Sequence, residues 1–177
     1  MIAIFNVGLL LGGATTASVI LVASGLLSVV PETARFAVVL VFAAAAVSRD
    51  VRIMRFRLPA PTRQVPETVF ARGPVRSALQ FGFELGTGVR TQIPASAPYI
   101  VAAALALLGP GVITTLATGI AFGAGRAIMP LMRVAQTDTP GWDDLLKRRY
   151  RKIMGVSAVL CALAVAELVL ATFVGTF

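Results

Sequence analysis

Residues 2–30 contain no Asp, Glu, Lys or Arg. A helix needs about 20 apolar residues to cross the hydrocarbon core of a bilayer, so this run alone is long enough. With no water at hand, a backbone has to satisfy its own N–H and C=O groups, and an α-helix does so within one segment. Long apolar runs recur along the chain, with charges clustered between them. The chain is 57% hydrophobic with mean hydropathy +0.86, whereas soluble domains are about 45–50% apolar. These features predict an all-α, polytopic membrane bundle of about five transmembrane helices. It should form a single membrane domain over residues 1–177.

The spans are predicted over about 2–30, 36–56, 79–108, 112–132 and 153–174. The first holds Gly8, Gly12, Gly13, Thr15 and Thr16, small residues that let helices approach closely. It is too long for the apolar core of a signal peptide and reads as a retained span. The clean apolar run of the second span, 36–47, is short. Continuing it through Val51, Ile53, Met54 and Phe56 gives full length, with Arg49, Arg52 and Arg55 reaching the headgroups. Gly109, Pro110 and Gly111 make a tight turn between the third and fourth spans.

Two basic loops are expected, about 57–77 and 133–152. In the second, Thr139 is an N-cap candidate with Pro140 at the first helical position, which predicts a short surface helix before the fifth span. Seven arginines lie between Arg49 and Arg76, and seven Lys plus Arg between Arg126 and Lys152. The short connections carry only Arg35. The positive-inside rule then puts both long loops and the N-terminus in the cytoplasm and the C-terminus outside. The same rule accounts for the net charge of +8 without nucleic acid. Arginine outnumbers lysine fourteen to two among abundant Ala, Gly and Val, which suits a bacterial plasma-membrane protein from a GC-rich genome.

The third predicted span carries the chemistry. Glu84 and Arg90 are embedded in it, and ionisable groups in hydrocarbon cost several kcal/mol unless paired or hydrated. Gly86, Gly88, Pro94 and Pro98 predict a broken helix there, tolerated at membrane depth only where protein or a water-filled cavity covers the freed backbone. On an unbroken helix, six residues turn through about 600°, so Glu84 and Arg90 would point apart. A break removes that restriction. One reading is a substrate or ion site built from Glu84, Arg90, Thr87, Thr91 and Gln92. The other is that Glu84 and Arg90 pair with each other across the break. A carboxylate with exposed carbonyls suits a cation or proton. An arginine beside a half-helix N-terminus suits an anion. Glu167, mid-span in the fifth helix, is the other acid expected to be buried, and it could pair with Glu84.

A two-span repeat is also expected. Gly8-x-x-Leu11-Gly12 matches Gly82-x-x-Leu85-Gly86, and Ile53-Met54-Arg55 matches Leu131-Met132-Arg133. Leu10 then corresponds to Glu84 and Thr16 to Arg90, so the polar residues belong to the second copy.

Histidine is absent and Cys161 is the sole cysteine. A CxxC redox pair and the imidazole or multi-thiolate sites favoured by zinc and copper therefore cannot form, and no metal or other cofactor is expected. No serine sits in a nucleophile-elbow context and no glycine-rich loop joins a strand to a helix, so no enzyme activity is expected.

Residues 86–100, Gly-Thr-Gly-Val-Arg-Thr-Gln-Ile-Pro-Ala-Ser-Ala-Pro-Tyr-Ile, resemble a helix of the CcdA/DsbD-type cytochrome c biogenesis and disulfide-reductase membrane proteins. The glycine, the two prolines and the Tyr-aliphatic continuation carry the likeness. These proteins belong with small repeat-built exporters of the LysE type. Their cysteine beside the first proline is replaced here by Gln92 and Ile93, and Cys161 lies in a different helix. The resemblance therefore implies a shared scaffold that serves transport, without thiol–disulfide chemistry. Two functions follow as expectations: a small-solute or ion transporter, or a non-catalytic subunit or assembly factor of a larger membrane complex; the expected partners are the lipid bilayer and either a second copy of the chain or another membrane protein.

Overall fold

The computed structural model describes residues 1–56, 73–89, 93, 95–135 and 139–174. Among these the chain is helical and has no strand: α1 (Ile2–Leu27), α2 (Glu32–Asp50), α3 (Pro74–Thr87), α4 (Ala97–Leu108), α5 (Val112–Ala135) and α6 (Thr139–Val174). Three segments are long and apolar enough to cross a membrane: Ile2–Leu27, Val112–Met132 and Lys147–Leu170.

The helix ends follow local rules. Within α1, Thr15 donates to the Leu11 carbonyl and Ser18 to the Ala14 carbonyl, so their hydroxyls are satisfied inside an apolar helix. Pro31 precedes α2, and Glu32 in the first turn complements the positive end of the helix dipole. The expected extension of this helix to residue 56 does not occur. It stops at Asp50 because Arg52 takes the left-handed conformation (φ 68°). The Arg52 and Ile53 N–H groups then bond back to the Arg49 and Ser48 carbonyls, a Schellman ending with arginine where glycine is usual. Pro74 opens α3. The short surface helix expected before the fifth span is not separate, because Thr139–Val174 is one continuous helix.

The contacts divide the chain into two compact units. The first comprises Met1–Leu21, Pro59–Ile93 and Pro110–Thr139. Here α1 packs on two helices through glycine, backbone against backbone. A Cβ at Gly8 would meet the Leu79 carbonyl oxygen and lie 2.8 Å from the Phe83 nitrogen. One at Gly12 would lie 2.7 Å from the Thr87 nitrogen. Ascending numbers on α1 thus meet ascending numbers on α3, and the two helices run parallel. On α5 the order reverses: Gly119 abuts Gly13 and Ala17, while Gly123 abuts Leu9 and Leu10. Helix α5 is therefore antiparallel to α1. The likeness of Gly8–Gly12 to Gly82–Gly86 has a packing reason, since each motif supplies the small residues that the other needs.

The second unit comprises Val22–Leu58, Pro94–Gly109 and Pro140–Phe177. Its core is a stripe of Val39, Ala43 and Ala46 on α2, with Ile100 and Ala104 from α4 and Ala158 and Val165 from α6. Spacings of three, four and seven residues put each set on one helix face. Cys161 packs at the edge of this cluster, as a small apolar residue does. The Arg35 guanidinium donates to the Leu107 carbonyl near the end of α4 (3.1 Å), giving that helix-end acceptor a charged partner.

Candidate functional site

Glu84 lies one turn before the end of α3 and is 9% exposed. Four residues earlier on the same face, the Gln80 amide donates to its Oε1 at 3.0 Å. Thr87 folds its hydroxyl back onto the Glu84 carbonyl at 2.8 Å. Gly88 then takes φ 69°, its N–H bonds to the Leu85 carbonyl, and α3 ends. The carbonyl freed at Thr87 is reached by the Thr16 hydroxyl of α1 at 3.0 Å. A buried carboxylate, an amide and two hydroxyls are thus gathered in the first unit where a helix stops. Oxygen-rich and acidic, this set matches a small cation better than an anion.

Helix α3 ends at Thr87 and the next helix starts at Ala97. The residues expected to break the helix differ in role. Gly88 ends α3, whereas Gly86 is inside the helix and makes room for Leu9 of α1. Pro98 occupies the first turn of α4, where its missing N–H is harmless, so it starts a helix and does not break one. Arg90, Thr91, Gln92 and Pro94 lie outside the described residues. Glu167 was expected to be buried, but it is exposed on α6, and it belongs to the second unit while Glu84 belongs to the first.

One polar cluster was not foreseen. Asp50, the last residue of α2, has a fully buried carboxylate. Its Oδ2 accepts the Ser96 backbone N–H and its Oδ1 the Ser96 hydroxyl, both at 2.8 Å. Arg49 closes the cluster, with Nη1 donating to Asp50 Oδ1 at 2.6 Å and Nε to the Phe56 carbonyl at 3.1 Å. An acid from α2 therefore caps the N-terminus of α4, the end where negative charge is favoured. The sequence signal was available: Ser96 stands directly before Ala97 and Pro98, the order that marks a helix start. Its partner, 46 residues away, leaves no local trace.

The chain matches no protein-family model, no curated protein and no solved structure.

Proposed function

We propose that this protein is an integral membrane protein that carries a small polar solute or ion, with Glu84 as the charged element of its site. The observation behind this reading is Glu84 itself, a residue 9% exposed and one turn from the end of a helix in a strongly apolar chain. Burying such a group is expensive, and a cargo cation, a proton included, is a reason to retain it. The interrupted third span fits the discontinuous helices that form binding sites in many transporters. In this reading about five spans cross a bacterial plasma membrane, with the N-terminus inside. The parallel pair of α1 and α3 and the reversed α5 suit that alternation. They also suit a two-span repeat whose leading helices pack on each other. A scaffold shared with CcdA/DsbD-type proteins, minus their cysteines, belongs to the same proposal. No enzymatic step is invoked.

The test is reconstitution in proteoliposomes on a solid-supported membrane. Currents are recorded after concentration jumps of protons, sodium, potassium, phosphate and neutral amino acids. Wild type should respond to at least one, and Glu84→Gln should abolish that response while its circular dichroism stays helical. A wild-type response retained in full by Glu84→Gln would remove Glu84 from the site.

Exposed Glu167 favours a second reading. An acid on the outer face of an apolar helix costs about 2.5–3.5 kcal/mol at the bilayer centre by insertion scales, unless another chain covers it. The protein would then be a subunit or assembly factor of a larger membrane complex. Native mass spectrometry of the gently extracted protein separates the two. A stoichiometric foreign membrane protein that Glu167→Gln releases and Glu84→Gln retains supports the subunit; a lone or self-assembled chain supports the carrier.

A further inference from the structure

We propose that the open cavity between the end of α2 and the start of the apolar part of α6 is a binding site for a phosphate group, with Arg52, Arg55 and Arg151 as its ligands. The cavity has a volume of about 900 Å³. Arg49, Arg52, Arg55 and Arg151 line it, together with Tyr150 and Asp50. The acid does not neutralise the set, because Asp50 is engaged with Arg49 and with Ser96. Among the described residues, Arg52, Arg55 and Arg151 have no carboxylate partner, so three positive charges face one cavity.

Guanidinium is the group of choice for phosphate, because its planar fork donates two parallel hydrogen bonds to one oxyanion. The backbone points the same way. Arg52 holds a left-handed conformation that glycine would adopt without strain. Strain kept at a functional position is accounted for when the side chain is needed there. Val51, Met54, Phe56 and Met154 also line the cavity. Arg151 stands near the beginning of the apolar segment Lys147–Leu170, which is headgroup level if that segment spans a membrane. A phosphate attached to an apolar chain, an anionic phospholipid headgroup, matches all of this; free phosphate shares the recognition chemistry. The inference does not depend on transport by Glu84.

The full chain is placed in nanodiscs of phosphatidylcholine with one-tenth cardiolipin or phosphatidylglycerol, and co-purifying lipid is counted by native mass spectrometry after delipidation steps. A second arm titrates inorganic phosphate calorimetrically into pure phosphatidylcholine nanodiscs. R52Q/R55Q/R151Q is compared with K147Q/R148Q/R149Q, which removes equal charge from α6 outside the cavity. All three cavity arginines are exposed, so their loss should leave the helical circular dichroism intact. Retention of anionic lipid by wild type, weakened roughly hundredfold in the cavity variant and nearly unchanged in the control, supports the site and names lipid as the source. Phosphate binding lost in the cavity variant alone, without lipid retention, supports the site and names a soluble source. Equal losses in both variants, or no binding in either arm, overturn the proposal. R52K/R55K/R151K, which keeps the charge, should fall between wild type and the glutamine variant.

Discussion

Substituting Gly119 by alanine tests the glycine-mediated packing of the first unit. The added Cβ would sit 2.5 Å from the Ala17 Cβ and 2.5 Å from the Gly13 carbonyl oxygen. Carbon atoms in good contact are about 3.5–4.0 Å apart, so α1 and α5 would have to separate by roughly 1–1.5 Å. Close-packed helices cannot yield that distance at one point alone, because the neighbouring approach of Gly123 to Leu9 and Leu10 opens with it. Overpacking of this kind costs about 1–3 kcal/mol, and two contacts at once argue for the upper end. Alanine returns about 1 kcal/mol through its better helix propensity. The net expectation is a loss of about 2 kcal/mol, or roughly 4–8 °C in Tm for a chain of this size. Gly125→Ala is the matched control: it lies on the same helix, and a Cβ there has nothing within 4 Å. It should raise Tm by a few degrees. Circular dichroism melts in one neutral detergent compare the two. If both variants shift Tm alike, the close approach of α1 and α5 is refuted.

Asp50→Ala should destabilise the second unit by about 3 kcal/mol, near the bottom of the range for a broken buried pair, because Arg49 is 20% exposed. The thiol of Cys161, packed at the edge of that unit's core, reports the change as earlier labelling by a fluorogenic maleimide on heating; an unaltered labelling midpoint would contradict the cap. Arg52→Gly should relieve about 1 kcal/mol of left-handed strain, partly offset by glycine's greater freedom when unfolded, for a net gain of roughly 0.5 kcal/mol. Its melt in neutral detergent should move up by about 1–2 °C, and a fall would show that the side chain supports the fold.

The fold was legible where a single segment carries the signal. Uncharged length announced α1, and the glycines from Gly86 to Gly88 announced the end of α3. The end of α2 was misplaced because Val51, Ile53, Met54 and Phe56 continue the apolar pattern, whereas the stop is a backbone event at Arg52 that residue type does not encode. Glu167 was misjudged for a related reason. Composition tells that a helix segment is apolar, but over residues 153–174 of α6, where Glu167 is the one charged residue, it does not tell which face is outward. Of the candidate site, Glu84 and Thr87 were visible as polar residues beside a break, but the Thr16 hydroxyl on the freed carbonyl required knowing that α1 lies alongside α3. Asp50 was hidden for the same reason, since its partner Ser96 is 46 residues away.

The glycine seam of α1 also sets a schedule for assembly. This helix is made before α3 and α5, yet the surfaces that fit Gly8, Gly12 and Gly13 are on those two helices, far downstream. At a synthesis rate of about 5–20 residues per second, Gly119 follows Gly13 by roughly 5–20 s. Throughout that interval the Gly13 side of α1 has no α5 to close on, although α3 is made before α5. Any other small-residue helix emerging nearby, including α1 of a second nascent copy, can settle there, so crowded synthesis should favour mispaired chains over correctly closed ones.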